Sequence, residues 1–346
     1  MNRKVVLVTQ GDPGRLTGGF LYHRRLAEQL PDFGFELEFL SFPEWRFPCP
    51  VAAVPWILTR LRRARPAAVI VDSLIAAYFL PLALWKRPFV GIVHQAPGGI
   101  DHGLLRTGVQ SCLDKFVYRR AEALISCSGW LAETLRELND RVVVAEPGCE
   151  RRDRSGSRLD LRRGRQAAIL SVANWQPVKG IESLLKAFSY LPQELATLHL
   201  VGDRRLGTDY GQAILERISQ PDLQSRVVVH GCIEPEALDR YYSSADLFAL
   251  AGKGETYGSV YAEALSAGLP IVGWRTGNLP HLIEHEAQGL LVEFGELEEL
   301  ADSLRRLCID PELRGALSER ALKRATALPN WTHTTRRVLE ALNVGA

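Results

Sequence analysis

The sequence predicts an α/β protein made of two doubly wound parallel sheets. Short apolar runs alternate with segments that favour helix, and this alternation occurs twice, on either side of a polar stretch at residues 151–165. Parallel strands are buried on both faces and appear as continuous apolar runs, and their alternation with helices is typical of βαβ units. A chain of 346 residues is also long for one domain and suits two of ordinary size.

The first half, residues 1–150, predicts one Rossmann-like domain. Its first strand is followed by a glycine-bearing loop through Gly19 and by a helix that reaches about Leu30. An apolar helix is expected between the third and fourth strands, and Pro147-Gly148 closes the domain. The predicted strands are residues 4–10, 35–40, 67–72, 89–95, 123–128 and 141–145.

The second half, residues 166–330, repeats the pattern after a predicted linker. The linker combines seven arginines with glycine and serine, which indicates either a solvated connector or a basic strip that attracts phosphates. A last helix is expected from Trp331 to about Leu342. The predicted strands of this half are residues 168–173, 197–201, 227–230, 245–250, 269–274 and 289–293, and the predicted helices include 181–191, 296–308 and 311–327.

Residues 245–274 combine a buried strand, a glycine-broken loop and a helix that begins near Gly258. A helix N-terminus behind such a loop offers N–H groups and a positive dipole end to an anion. Glu255 lies on the loop and Glu263 eight residues later in the helix, and carboxylates accept hydrogen bonds from sugar hydroxyls. These residues thus suit the binding of a sugar attached to a phosphate. An ordinary βαβ unit with two surface glutamates and no ligand would show the same sequence pattern.

The run from Glu255 to Glu263 resembles the E-x7-E signature of retaining glycosyltransferases of family 4, which have the GT-B fold. The resemblance continues through residues 277–280 and 289–292. It implies two Rossmann-like domains whose sheets face a central cleft, with the last helix, about 331–346, crossing back to the first domain. It also implies that Glu255 contacts the donor sugar and Glu263 the ribose. Backbone amides would meet the sugar and diphosphate at Tyr257, Gly258, Ser259 and Val260.

Other positions acquire roles through the same resemblance. His94 ends a strand, where functional residues of parallel sheets gather, and the family places a histidine there against the donor sugar. Gly18 and Gly19 would lie against the donor phosphates. Their loop lacks the G-x-G-x-x-G spacing, so NAD binding is not expected. Lys179 precedes Gly180 and a helix, and would neutralise the leaving diphosphate.

Asn174 departs from the family pattern, which has an arginine at this position. One cation of the expected pair is therefore missing. Either the asparagine hydrogen-bonds what the arginine would pair with, or another cation replaces it. The candidates are Arg204 and Arg205, which follow Gly202 at a strand end, and Lys253 in the glycine loop.

The composition limits the binding partners that are expected for the protein and indicates its cellular compartment. The net charge of +2 gives no argument for nucleic acid, and six scattered cysteines without a C-x-x-C pair indicate reduced thiols in the cytoplasm. No signal peptide and no membrane span are expected. Aromatic and basic residues between 42 and 66, among them Trp56 and Arg60, either pack on the sheet or rest on the inner face of an anionic membrane.

The predicted function is transfer of a hexose from a nucleotide diphosphate sugar to the hydroxyl of an unidentified acceptor, in polysaccharide, glycolipid or natural-product biosynthesis. No cofactor is expected, and no motif predicts a metal site. Two alternatives are a nucleotide-sugar 2-epimerase with the same fold and a non-catalytic partner that retains it. The second rests on the missing arginine at Asn174.

Overall fold

The structure is a computed structural model that describes residues 3–15, 17–45, 48–80, 88–99, 104–150 and 158–344. The chain divides into two compact units. The first comprises Met1–Gly148 together with Pro329–Ala346, and the second comprises Cys149–Leu328. The predicted linker falls in the second unit, and its residues 151–157 lie outside the described part of the chain.

The first unit contains a parallel sheet of six strands in the order β2-β1-β3-β4-β5-β6. The strands β3 to β6 are largely apolar, as expected for the part of a sheet that is covered on both faces. The order reverses direction between β1 and β3, which is where doubly wound sheets bind ligands. The strands are Arg3–Gln10 (β1), Phe35–Phe42 (β2), Ala68–Asp72 (β3), Val90–Val93 (β4), Ala123–Ser126 (β5) and Val142–Val144 (β6).

The first helix of this unit corrects the sequence prediction. The loop was expected to continue through Gly19, but the helix already begins at Gly18, after Thr17 in an extended N-cap conformation. Threonine favours this position, and the prediction gave more weight to the glycines. In the region of the expected apolar helix before β4, the structure describes a 3₁₀ turn, Ala76–Phe79, and residues 81–87 lie outside the described part of the chain. The helices are Gly18–Gln29 (α1), Val54–Ala64 (α2), Leu104–Tyr118 (α3) and Gly129–Arg136 (α4).

The second unit contains another parallel sheet of six strands, in the order β12-β11-β10-β7-β8-β9. The reversal lies between β7 and β10, which are hydrogen-bonded neighbours. The loops that follow these two strands therefore meet at the same sheet edge. The strands are Ala167–Val172 (β7), Ala196–Val201 (β8), Val227–Gly231 (β9), Leu247–Leu250 (β10), Ile271–Trp274 (β11) and Gly289–Val292 (β12).

The remaining helices cover the second sheet, except the last, which joins the core of the first unit. Val338 and Leu339 are buried there, and the Thr334 hydroxyl donates to the carbonyl of Glu146 at 2.6 Å. The helices are Ile181–Ser189 (α5), Asp209–Ile218 (α6), Pro235–Ser244 (α7), Ser259–Ser266 (α8), Leu279–Leu282 (α9), Leu297–Ile309 (α10), Pro311–Ala325 (α11) and Trp331–Ala341 (α12).

The aromatic and basic segment around α2 is divided between core and surface. Ile57 and Leu61 are buried against the first unit, whereas Trp45 and Trp56 are exposed and the α2 arginines face solvent. Phe47 lies outside the described residues. No described helix is long and apolar enough to cross a bilayer.

Candidate functional site

The reversal point of the second sheet brings together a lysine and a glutamate from two different loops. The Lys179 ammonium lies 2.8 Å from each carboxylate oxygen of Glu255. Lys179 follows β7 and Glu255 follows β10, so the sheet order places them side by side. The lysine side chain is 27% exposed and the glutamate 11%, so the pair is partly shielded from water. Sequence reasoning proposed both residues but not their contact.

Gly180 allows the two loops to approach closely enough for the contact between Lys179 and Glu255. It adopts a left-handed conformation, with φ at +64°, and a Cβ atom there would lie 1.7 Å from the carbonyl oxygen of Ala251. Any side chain would force the loop after β7 away from the end of β10. The Lys253 amide also donates to the carbonyl of Val178, at 2.8 Å. The two loops are therefore fixed to each other by backbone contacts.

Helix α8 begins directly after the glutamate loop, at the same edge of the sheet. Gly258 caps it in a left-handed conformation, and the N–H groups of its first turn, at Ser259 and Val260, have no acceptor within the helix. Glu263 lies one turn further on, where the buried Tyr242 hydroxyl donates to its Oε2 at 2.9 Å. The edge thus combines N–H donors with two oriented carboxylates.

Asn278 holds the loop that carries Glu255 by two hydrogen bonds, a role that sequence reasoning missed. Its side-chain amide donates to the carbonyl of Tyr257 at 3.0 Å, and its backbone amide donates to the carbonyl of Glu255 at 2.9 Å. Gly277 lies so close that a Cβ atom would be 2.5 Å from that same Glu255 carbonyl. Residues 277–280 contributed to the family resemblance, and that match was the available signal.

The structure gives Asn174 a structural contact. Its Oδ1 accepts a hydrogen bond from the backbone N–H of Asp203 at 3.0 Å, which ties the loop after β7 to the loop after β8. Gly202 is required in that second loop, because a Cβ atom there would lie 2.2 Å from the carbonyl oxygen of Ala173. Asn174 therefore joins two loops, in addition to occupying the position where the family has an arginine.

Three exposed cations surround this edge of the second unit. Among the described residues, no hydrogen-bond or ion-pair partner is found for the side chains of Arg204, Arg205 or Lys253. The side chain of Arg204 lies beside the end of β9, since its Nε would be 4.0 Å from a Cβ atom on Gly231. Arg205 adopts φ of 47°, held by an Asp203 carboxylate that accepts from its backbone amide.

A second cluster lies at the reversal point of the first sheet. His94 follows β4, and its Nε2 lies 2.9 Å from Nε2 of His23 on α1. Behind His23, Asp72 at the end of β3 accepts a hydrogen bond from Thr9 at 2.7 Å. Gly19 lies beside the same ring, since a Cβ atom on it would be 3.5 Å from Cδ2 of His94.

Sequence reasoning proposed His94 and Gly19 but missed His23 and Asp72. The signal for Asp72 was available, because it ends a buried apolar strand as His94 nearly does. Burial lowers the pKa of both histidines, and the proximity of His23 helps to lower that of His94 to about 3. The nearby Asp72 acts in the opposite direction but does not outweigh burial. Both imidazoles are therefore neutral at pH 7.

Each cluster has a chemical capacity of its own. The second unit can bind an anion through Lys179 and the first turn of α8, and can bind hydroxyls through its carboxylates. The first unit offers a neutral imidazole, suited to hydrogen bonding with an uncharged group. In the part of the chain that the structure describes, no group of three or more His, Cys, Asp or Glu side chains could hold a metal ion.

Residues 158–324 match the family model of glycosyl transferases group 1. The similarity to that family therefore lies in the second unit. The match covers all the residues of the second-unit cluster, from Asn174 and Lys179 to Glu263. The resemblance inferred from the E-x7-E run is thereby confirmed at the level of glycosyl transferases group 1, and family 4 and the retaining mechanism stay predictions.

Curated relatives support the family at moderate identity. The chain is 30% identical over 154 residues to N-acetyl-alpha-D-glucosaminyl L-malate synthase of Bacillus anthracis, which covers 44% of this chain and 39% of the relative. It is 28% identical over 278 residues to D-inositol 3-phosphate glycosyltransferase of Nocardia farcinica, covering 74% of this chain and 61% of the relative. The chain thus spans less than two thirds of either relative.

Solved structures confirm the predicted GT-B fold. A sucrose-phosphate synthase from Thermosynechococcus elongatus superposes with a TM-score of 0.83 at 19% identity, and the match covers 98% of each chain. HepE from Anabaena, in complex with UDP and glucose, superposes with a TM-score of 0.76 at 20% identity over 99% of this chain and 100% of that one. At these identities the likeness shows the fold alone.

Proposed function

We propose that the chain is a retaining glycosyltransferase that moves a hexose from a nucleotide diphosphate sugar to an acceptor hydroxyl. The observation that carries the proposal is the contact between Lys179 and Glu255 beside the first turn of α8. A cation, helix amides and carboxylates at one sheet edge match a ligand that joins a diphosphate to a sugar. The UDP and glucose bound to HepE, a protein of the same fold, agree with this choice of donor.

The lysine and glutamate would divide the donor between them. An ammonium group has three donors, and two are used by Glu255 in the free protein. The third would bind an oxygen of the diphosphate, and the carboxylate would accept hydrogen bonds from the sugar hydroxyls. Glu263, held by Tyr242, would bind the ribose. The neutral ring of His94 suits a sugar hydroxyl, which is the contact that the family resemblance implies for this residue.

The reaction breaks the bond between the anomeric carbon and a diphosphate oxygen and forms a bond between that carbon and the acceptor oxygen. The acceptor proton goes to the departing phosphate oxygen on the same face of the sugar, so the configuration is retained. Negative charge grows on the leaving group, and Lys179 with the α8 amides would stabilise it more in the transition state than in the ground state. Because these groups neutralise the phosphate, we propose that no metal ion is required.

Ligand-dependent thermal stability tests the proposal first. Any ligand that binds the native state alone raises the unfolding temperature, so a panel of nucleoside diphosphates should reveal one that stabilises the protein. Lys179→Ala should lose most of that stabilisation, whereas substitution of the exposed Lys186 on α5 should leave it unchanged. A panel in which no nucleotide raises the unfolding temperature would contradict the proposal.

Product analysis tests the finer claims. Incubation of the stabilising nucleotide sugar with candidate acceptors, followed by NMR of the anomeric proton, should show the configuration of the donor. EDTA should leave the rate unchanged, and a loss restored by Mg²⁺ or Mn²⁺ would contradict metal independence. An epimerase would interconvert the donor sugar without acceptor, and a non-catalytic protein would neither transfer the sugar nor hydrolyse the donor slowly.

A further inference from the structure

The contact between two histidines in the first unit has two possible protonation patterns. His23 is fully buried on α1, and His94 is half-buried after β4. Their Nε2 atoms are 2.9 Å apart, so one of them carries a proton and donates to the other. Both rings are neutral, since burial lowers the pKa of each. The pattern therefore decides which nitrogen of His94 remains without a proton.

The carboxylate of Asp72 favours one of the two patterns. Its oxygens accept from the Thr9 hydroxyl at 2.7 Å and from the Leu74 amide at 3.0 Å, which fixes its orientation. Nδ1 of His23 faces this carboxylate at 3.9 Å and has no hydrogen-bond partner. At this distance an N–H group is attracted by the negative charge, whereas a lone pair is repelled. His23 should therefore carry its proton on Nδ1.

The consequence reaches His94 through the short contact. If Nδ1 of His23 is protonated, its Nε2 is an acceptor, and the Nε2 of His94 must donate to it. Nδ1 of His94 then has a free lone pair. This atom has no hydrogen-bond partner among the described residues and is not among the buried unpartnered atoms, unlike Nδ1 of His23. The lone pair is thus available to a ligand.

We propose that His23 is a positioning residue that holds His94 as the Nε2–H tautomer, so that Nδ1 of His94 accepts a hydrogen bond from a hydroxyl of the sugar substrate. The inference rests on the proposed transferase function for the identity of that hydroxyl. The ring plane is fixed as well, because Tyr22 packs edge-on against His94 with centroids 5.2 Å apart. Asp72 acts on this tautomer one step further back, through Nδ1 of His23.

Nitrogen-15 NMR of the histidine rings tests the tautomer without any substrate. We expect His94, assigned by the signals that vanish in His94→Gln, to show a protonated Nε2 and an unprotonated Nδ1 in the unmodified protein. His23→Leu and Asp72→Asn should both give a mixture of tautomers at His94. A protonated Nδ1 in the unmodified protein, or an unchanged tautomer in both variants, would overturn the proposal. Asp72→Asn retains the side-chain volume, in case His23→Leu does not fold.

Kinetics then separates positioning from packing. His23→Leu should lower kcat/KM about tenfold, as for loss of one hydrogen bond, while His23→Gln should retain most of it, because the glutamine oxygen can accept in place of Nε2. Adding His23→Leu to His94→Ala should cost nothing more, since His23 acts through His94. Equal losses in His23→Leu and His23→Gln, or additive losses in the double variant, would contradict the proposal. If no nucleotide sugar is turned over at all, the proposed function fails, and the NMR result still decides the tautomer.

Discussion

The second unit places a charged pair, Lys179 and Glu255, at its sheet reversal, whereas the first places two neutral imidazoles at the equivalent point. Both sheets are parallel and six-stranded with a single reversal, although their strand orders differ, since one strand lies beyond β1 and two lie beyond β7 on the side away from the reversal. A leaving diphosphate gains negative charge, which a nearby cation stabilises. The sugar gains positive charge, which a nearby cation would destabilise. Under the proposed function, the two sheet reversals would meet opposite electrostatic demands.

The strongest test of this contrast removes the charge from the second unit. Lys179→Ala should lower kcat by about a hundredfold or more, which is the size of a lost donor to a developing anion. Steady-state kinetics at saturating donor gives the value, with substitution of the exposed Lys186 as the matched control. Thermal unfolding must be measured in parallel, because the variant leaves the Glu255 carboxylate partly buried and unpaired. A fully active variant would remove the charge argument for this unit.

Glu263 sharpens the comparison, because it belongs to the second unit but, under the proposed function, would bind the ribose and not the bond that breaks. Glu263→Ala should raise the donor KM about tenfold or more and change kcat little, as expected for loss of a hydrogen bond to a charged acceptor. Tyr242→Phe, which removes only the hydroxyl that holds Glu263, should show the same pattern at smaller size. Collapse of kcat with an unchanged KM would contradict the ribose assignment.

The missing arginine at Asn174 predicts a smaller effect. Arg204 follows β8, the neighbour of β7, and we expect Arg204→Ala to lower kcat about tenfold, which is less than for Lys179→Ala because an exposed cation is screened by water. Arg205→Ala and Lys253→Ala serve as comparisons. Asn174→Arg should restore part of the loss, but only part, since it also removes the hydrogen bond from the Asp203 amide. Unchanged kcat in all three alanine variants would show that Lys179 and the α8 amides suffice.

A lower pH should destabilise the first unit, because its two clustered histidines are neutral in the folded protein. Between the lowered pKa of His94, about 3, and the usual 6.5, the unfolded chain binds more protons than the folded one. The free energy of unfolding should therefore fall as the pH drops below 6.5, by at most about 1.4 kcal/mol per pH unit for each such histidine.

Thermal unfolding from about pH 7 to about pH 5.5 measures this effect. His23→Gln and His94→Gln should each flatten the decrease, while replacement of the exposed His281 should not. His230 in the second unit, whose pKa burial lowers to about 4, contributes to the remaining slope. An unchanged pH dependence in both first-unit variants would mean that these histidines are not kept neutral by the fold.

Much of the architecture could be predicted because parallel strands carry their own signal. Runs such as residues 4–10 and 168–173 are continuous and apolar, and the structure shows them as β1 and β7 within a residue or two. The start of α1 could not be predicted as well, since Gly18 and Gly19 suggest a loop equally strongly. The strand, loop and helix of residues 245–274 drew attention to Glu255 and Glu263, and the family resemblance gave each its expected role.

Contacts between distant residues were the part that the sequence could not predict. Lys179 and Glu255 are separated by 76 positions, and only the order of β7 and β10 brings them together. The same holds for His23 and His94, which are 71 positions apart and belong to different βα units. Asn174 illustrates a further limit, because its hydrogen bond to Asp203 depends on where the neighbouring loop runs.

The return of α12 to the first unit sets the order in which the protein can be assembled on the ribosome. The core of that unit needs Val338, Leu339 and Leu342, and Gly148 packs so tightly on Trp331 that a Cβ atom would lie 2.4 Å from its amide nitrogen. When residues 3–148 leave the ribosome, the core of the first unit is therefore incomplete, and it stays incomplete until the whole second unit and α12 have been synthesised. Translation that stops before α12 would leave a folded second unit attached to an incomplete first unit, which chaperones and proteases would recognise by its exposed apolar surface.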